Sequence, residues 1–434
     1  MPESAKPALP SYPQLLRFFG PLALSNSMMT LEPLILITAL SHALHSELTL
    51  AGYNVMFGIA LVIEAPVIML LSASTALSQT QHAFYRLFRF MLALGGLVVA
   101  IGFLVSLTPL YGWLVLGVMQ IPPAVAEAAR PALVIMSIWS FPVAWRRMLQ
   151  GVLIAHNRTP IVTLATVVRL AALAAALLIG GRLMPDRMLI VAALAMQASV
   201  IAESLIVTPP AFGVVRKLPV GPEGMPLSWR GLFGFYQPLA TMMVLRQISR
   251  PMLSAGIAAA FLPERSLAAW SVAWSLALLP FGVTLGLEQV AIAKGTSRAA
   301  RARVRRFVWG VGLTLAGVMV AITFTPLVHP MLEFLFDLSL EAEPMVVFAL
   351  RWTAMLPLVQ SLQGLLRGMA ISEERTRDVR TAVGASLVVV ALITIVGPRL
   401  GVFSGIAIGV LATMLSALAE VGWLGWRERR TSGG

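Results

Sequence analysis

The sequence predicts an all-α, polytopic membrane protein of about twelve transmembrane helices arranged as two six-helix lobes. Three observations carry that expectation. Hydrophobic residues make up 58 % of the 434 positions, mean hydropathy is +0.85, and only 12 % of residues are charged, far from the composition of soluble domains. Apolar stretches of roughly 20 residues, the length a helix needs to cross the hydrocarbon core, recur from end to end. The second half of the chain also repeats the first, motif by motif.

The spans are expected at 14–41, 50–77, 87–108, 126–154, 160–181 and 187–212, then at 231–260, 264–291, 306–327, 343–369, 381–398 and 402–425. The first is too long for a signal-peptide core and has no small-residue cleavage site, so it reads as a retained span. The segment from Tyr111 to Pro123 is apolar but short and rich in Pro and Gly. It reads as interfacial or re-entrant rather than as a further span.

Loop charge gives an orientation. One set of loops and span ends holds Arg86, Arg89, Arg146, Arg147, Arg216, Lys217, the cluster from Lys294 to Arg306, and Arg427, Arg429 and Arg430. The other set holds only Arg130, Arg182, Arg187, Arg265 and Arg399. The positive-inside rule then puts both termini in the cytoplasm, with the chain in the inner (plasma) membrane. The same distribution explains the net charge of +13 without nucleic acid as a partner.

The repeat is read from ordered matches. Pro21-Leu22-Ala23 recurs as Pro238-Leu239-Ala240, Pro66 as Pro280, Arg89-Phe90 as Arg306-Phe307, Leu149-Gln150-Gly151 as Leu362-Gln363-Gly364, and Ala202-Glu203 as Ala419-Glu420. The offsets all lie between about 213 and 217 residues. Six spans per half preserve orientation, so the halves are parallel repeats with pseudo-two-fold symmetry about the membrane normal. The expected organisation is an N-terminal lobe over 1–213, a polar cytoplasmic linker over 214–230 containing VGPEGMPLS, and a C-terminal lobe over 231–434. Such an architecture belongs to transporters, with a substrate site expected between lobes near the midplane.

Exclusions narrow the chemistry. The chain has no cysteine, which removes disulfides, thiolate metal sites, iron–sulfur clusters and Cys nucleophiles. His42, His45, His82, His156 and His329 lie at span ends and in loops without a third ligand, so no metal site is expected. No phosphate loop, nucleotide-binding cassette or hydrolase motif is present. The expectation is a non-enzyme without cofactors, acting as a monomer in the bilayer.

The candidate site starts at Arg246 and Arg250, one helical turn apart in PLATMMVLRQISRPMLSAGIAAAF. An intramembrane Arg costs roughly 2.5–3.5 kcal/mol on insertion scales. Two on one face point to a water-filled cavity, acidic partners or an anionic substrate. Arg suits the last because its planar fork binds carboxylate and phosphate oxygens bidentately and does not titrate. Gln247 and Ser249 add neutral polar groups, and Pro251 is expected to bend the helix. Asn26, Gln150 and Gln363 read either as cavity lining or as bridges between helices. Glu32 and Glu64, in the half opposite the arginines, are candidates for coupling to H⁺ or Na⁺, or for pairing with Arg. Glu203 and Glu420 occupy equivalent positions and read as a shared structural device.

The run Phe235-Tyr236-Gln237-Pro238-Leu239-Ala240 followed by Arg246-Gln247-Ile248-Ser249-Arg250-Pro251 resembles the progressive ankylosis protein family. Arg17-Phe18 with Pro21 and Asn26, Phe141-Pro142 with Gly151 and His156, and Leu400-Gly401-Val402 before Glu420 add to the likeness. Arg250 matches the second Arg of that family's motif, while Arg246 and Gln247 stand transposed, and Thr30 stands where the family carries an acidic residue. The resemblance implies a MATE-like fold, shared with the multidrug/oligosaccharidyl-lipid/polysaccharide exporters. It also implies export of a small polyvalent anion (citrate-, nucleotide- or pyrophosphate-like) by alternating access. Two rivals stay open: a MATE-type antiporter of organic cations driven by H⁺ or Na⁺, and a flippase for lipid-linked precursors.

Overall fold

The computed structural model describes residues 10–156, 158–221, 228–295, 297–373 and 375–432. The chain is helical throughout, and among these residues the sole β-type pairing is an isolated bridge, Phe261 to Ser404. In the first half the helices are α1 (Tyr12–Ser41), α2 (Ser46–Ile68), α3 (Leu70–Leu77), α4 (Gln81–Leu107), α5 (Leu110–Gly112), α6 (Pro123–Ala155), α7 (Thr159–Leu183) and α8 (Met188–Val215). In the second half they are α9 (Trp229–Ala258), α10 (Pro263–Lys294), α11 (Arg298–Thr323), α12 (Val328–Leu335), α13 (Ala342–Thr353), α14 (Leu356–Ser372), α15 (Thr376–Arg399) and α16 (Gly405–Ser432).

All twelve expected spans are present as helices or near-continuous helix pairs. Among the described residues, eleven segments are long and apolar enough to cross a membrane. The twelfth is α9. At 30 residues it is about 45 Å long, ample for a bilayer, but Gln237, Arg246, Gln247 and Arg250 lower its apolarity. The Tyr111–Pro123 segment holds only the short α5 and one π-helical turn, Trp113–Val118. Of the expected linker, residues 222–227 lie outside the described residues.

Local chemistry starts the helices at matching places. Ser11 and Gln14 form a reciprocal cap at the head of α1, and Ser228 caps α9 through the Gly231 amide at 3.0 Å. Thr80 caps α4 through Ala83, and Ser297 caps α11 through Ala300, both at 3.2 Å. Each pair repeats at the offset read from the motifs, so the repeat extends to how the helices begin. The breaks do not match. The first half interrupts its second span at Met69, after Pro66, and the second half interrupts its fourth at Ala354–Met355, ahead of Pro357.

The chain divides into two compact units. One, here the N-unit, comprises Ala39–Ala259 with Pro263–Ala268 and the other, the C-unit, comprises Met1–Thr38, Ala260–Leu262 and Ala269–Gly434. Most of α1 therefore packs in the C-unit, and α9 packs in the N-unit. In the C-unit, Leu15, Phe19 and Ala23 of α1 join Leu287, Val290 and Ala291 of α10, Val304 and Phe307 of α11, and Leu365 of α14 in one buried cluster. Phe19 meets Phe307 edge-to-face, with ring centroids 5.6 Å apart. In the N-unit, Tyr236 of α9 meets Phe90 of α4 edge-to-face at 4.8 Å. Phe19 corresponds to Tyr236 and Phe307 to Phe90, so the same aromatic joint is built in both units.

Two glycines set close helix crossings. A Cβ on Gly151 of α6 would lie 2.6 Å from the Leu71 carbonyl oxygen and 2.6 Å from the Ser74 Cβ of α3. Its repeat mate, Gly364 of α14, faces the Glu288 amide of α10 at 3.3 Å. Gly151→Ala has backbone in its way and is expected to lose about 1–3 kcal/mol of stability. Gly96→Ala, in the interior of α4 with nothing within 4 Å, should be neutral or gain up to about 1 kcal/mol from helix propensity. Thermal unfolding in detergent separates the two, and equal midpoints would refute the crossing.

Between spans, the Tyr111 hydroxyl donates to the Ala126 carbonyl at 2.5 Å. Burial pushes its pKa up to about 12, with the Arg130 guanidinium pulling it back. The fold thus favours the neutral phenol. Its contribution to stability is full below about pH 10, where the unfolded side chain begins to ionise, and is gone as pH passes about 12. Thermal midpoints across that window should fall more steeply for the native chain than for Tyr111→Phe.

Candidate functional site

Helix α9 runs unbroken through both Pro238 and Pro251 and carries the arginine pair. Arg246 is exposed, while Arg250, one turn on, is partly buried in the N-unit. The Arg250 guanidinium lies 5.9 Å from the centroid of the Phe57 ring of α2, within cation–π range. Phe57 stacks on Tyr53 at 5.3 Å and leans on Trp139 of α6 at 6.3 Å. Arg250 is close enough to Tyr53 and Arg246 to interact electrostatically with both. One turn further, the Ser254 hydroxyl donates to Asn54 Oδ1 at 2.6 Å and tethers α9 to α2. The Ser249 hydroxyl donates to the Arg246 carbonyl at 2.8 Å, and Gln247 is half-buried beside it.

A second set of charges lies deeper in the N-unit. Glu203 of α8, 1 % exposed, accepts from Arg146 Nη1 at 2.6 Å and from Gln150 Nε2 at 2.8 Å, with Arg169 Nε of α7 at 3.3 Å. Arg147 joins the group electrostatically, as does Glu64 of α2, itself 3 % exposed. The C-unit builds the same device on Glu420 of α16. There Arg367 of α14 grips both carboxylate oxygens and Gln363 Nε2 donates at 3.0 Å. The arginine stands four residues before the glutamine in the N-unit and four after it in the C-unit. Either spacing puts the two side chains on one helix face.

The predicted site residues therefore fall into four groups. Arg246, Gln247, Ser249 and Arg250 share α9. Gln150 and Gln363 bridge helices by donating to Glu203 and Glu420. Asn26 and Glu32 lie half-buried on α1 in the C-unit, where Gly282 of α10 approaches the backbone of Asn26 and Ser27. Glu64 lies in the N-unit beside Arg147. Arg146, counted from sequence among the inner-side charges, is 6 % exposed inside α6. Sequence reasoning also missed Tyr53, Phe57 and Trp139 as the aromatic setting of Arg250. The spacing of Arg146 to Gln150 was the signal available for the ion cluster; nothing local marked the aromatics.

No family model and no curated protein matches the chain. Solved structures do. An inward-facing multidrug resistance MATE family transporter of the MOP superfamily superimposes with a TM-score of 0.68 at 16 % identity, covering 94 % of this chain and 97 % of the other. The fold is that of the MATE transporters. An outward-facing MATE family transporter gives 0.56 at 17 % identity, over 97 % of this chain and 96 % of that one. A MOP superfamily transporter from Pyrococcus furiosus, described as having a binding pocket of reverse polarity that suggests a different function, gives 0.61 at 18 % identity over 95 % of both chains. In this MATE-type fold the buried carboxylates at Glu203 and Glu420 are occupied by Arg and Gln donors.

Removing one partner of a buried ion pair leaves the other charge uncompensated, at about 3–5 kcal/mol. Glu203→Gln is therefore expected to destabilise the protein severely, because Arg146 and Arg169 both lose their counter-charge. An unchanged melting temperature for Glu203→Gln would contradict that account.

Proposed function

We propose that this protein is a secondary transporter that exports a small polyvalent anion by alternating access, with Arg246 and Arg250 gripping the anion. The observation that carries the reading is the pair itself: two guanidinium groups one turn apart on the long helix that, among the described residues, lacks a span-length apolar window, one exposed and one set against Phe57. Gln247 and Ser249, on the same helix, supply neutral polar groups for the ligand. Gln150 and Gln363 hold the two carboxylate clamps in shape, one in each unit.

The likeness to both inward- and outward-facing MATE transporters supports alternating access. The likeness to a MOP transporter described as having a binding pocket of reverse polarity supports a site of unlike polarity being compatible with this fold. The span-seven motif supports kinship with the progressive ankylosis family, and with it a citrate-, nucleotide- or pyrophosphate-like substrate. Against an organic-cation antiporter stands the occupancy of Glu203 and Glu420 by arginine, since a cation there must break a buried ion pair. Glu64 and Glu32 remain the coupling residues we assign to H⁺ or Na⁺. The repeat units 1–213 and 231–434, the linker 214–230, the monomeric state and cytoplasmic termini in the plasma membrane complete the reading.

Charge-assisted hydrogen bonds contribute about 1.5–3 kcal/mol each, so each arginine lost should weaken anion binding about ten- to a hundred-fold. In proteoliposomes, citrate or nucleotide uptake should fall accordingly in Arg246→Ala and Arg250→Ala and vanish in the double variant. Undiminished uptake by the folded double variant sinks the reading.

A further inference from the structure

At the basic end of the C-unit, α11, α14 and α16 enclose a groove of about 300 Å³. Its walls are Trp309, Leu362, Leu365, Leu366 and Val421, and its rim is Arg305, Glu428 and Arg429. We propose that this groove is a binding site for an anionic glycerophospholipid. The phosphate diester sits between Arg305 and Arg429, and an acyl chain runs along Leu362, Leu366 and Val421.

Three observations carry the assignment. The lining is divided by chemistry, cationic at one end and aliphatic along the rest, which matches an amphiphile and offers a free phosphate nothing along the apolar wall. The rim carries two arginines against one glutamate, so it is net positive. The one bridge across it, Arg305 Nη2 to Glu428 Oε1 at 2.6 Å, is an exposed pair of the kind that contributes little and exchanges readily.

The surroundings fit the level of lipid headgroups. On α16 the Arg430 guanidinium lies 4.1 Å from the Trp426 ring centroid and that of Arg427 at 5.6 Å, a Trp–Arg pairing suited to the membrane interface. Along α11, Arg301, Arg303, Arg305 and Arg306 give way within one turn to an apolar run. Its other face forms a second groove of about 350 Å³ with the same build, Arg306 above Phe307, Val311 and Leu315. Basic pockets between helix ends on the cytoplasmic side recognise acidic headgroups by this combination of point charges and apolar wall.

The test is native mass spectrometry of the purified full-length protein titrated with palmitoyl-oleoyl phosphatidylglycerol, with the matching phosphatidylcholine, and with free glycerol 3-phosphate. Phosphatidylglycerol should bind with clear preference over phosphatidylcholine, and glycerol 3-phosphate should neither bind comparably nor displace it. Each arginine near the headgroup is worth roughly fivefold, so Arg305→Gln with Arg429→Gln should weaken phosphatidylglycerol on the order of 20-fold and abolish the preference. Glu428→Gln, which frees Arg305 and removes the opposing charge, should tighten it roughly fivefold. Equal binding of both lipids, glycerol 3-phosphate binding as well as the lipid, unchanged binding in the double variant, or unchanged or weaker binding in Glu428→Gln would each overturn the assignment.

Discussion

A charge inside a bilayer must be neutralised, hydrogen-bonded or left facing water, and this molecule is organised around that constraint. Two of its buried carboxylates, Glu203 and Glu420, are met by arginine and glutamine donors from α6 and α14. An ionised carboxylate has several lone pairs to fill, and one arginine alone leaves some empty. The glutamine fills the remainder, which explains why Gln150 and Gln363 repeat while the arginine moves from one side of the glutamine to the other. What the two halves share is the geometry of saturation, and the identity of each position is secondary.

The same economy shapes the packing. Helix starts, the edge-to-face aromatic joint and the glycine crossings all recur between halves, yet the joint links α1 to α11 and α9 to α4. Each half lends its first helix to the other half's third. A helix packed this way is covalently part of one repeat and energetically part of the other. Its displacement is therefore tied to both, which suits a fold known in inward- and outward-facing forms.

Much of the fold was legible in the sequence because hydropathy is a local signal. The twelve spans, the short Tyr111–Pro123 segment and the repeat all follow from residues close in sequence or from ordered motifs. The exchange of α1 and α9 was not legible, since Phe19 and Tyr236 look like any interfacial aromatics until their partners are in place. Arg146 misled for a related reason. Near the end of a span it reads as an inside charge, and only Glu203, more than fifty residues on, reveals it as a buried one. The aromatic setting of Arg250 likewise depends on α2 and α6 meeting α9, a tertiary fact with no one-dimensional trace.

The arginine pair is where saturation is least symmetrical. The positions of α1 that correspond to Arg246 and Arg250 are Met29 and Pro33, so the two charges have no counterpart in the first repeat. At roughly 2.5–3.5 kcal/mol each on insertion scales, they make α9 the one long helix that falls short of the apolarity of its neighbours. A structural role could be met once per repeat, as Glu203 and Glu420 show, and would then be expected in both halves. The cost is borne by one repeat alone, at an exposed guanidinium and at another laid against an aromatic ring, and the proposed anion site gives it a use. Under the proposed function, that face would select by charge and geometry together. A polyvalent oxyanion is the solute that the proposed function assigns to the pair.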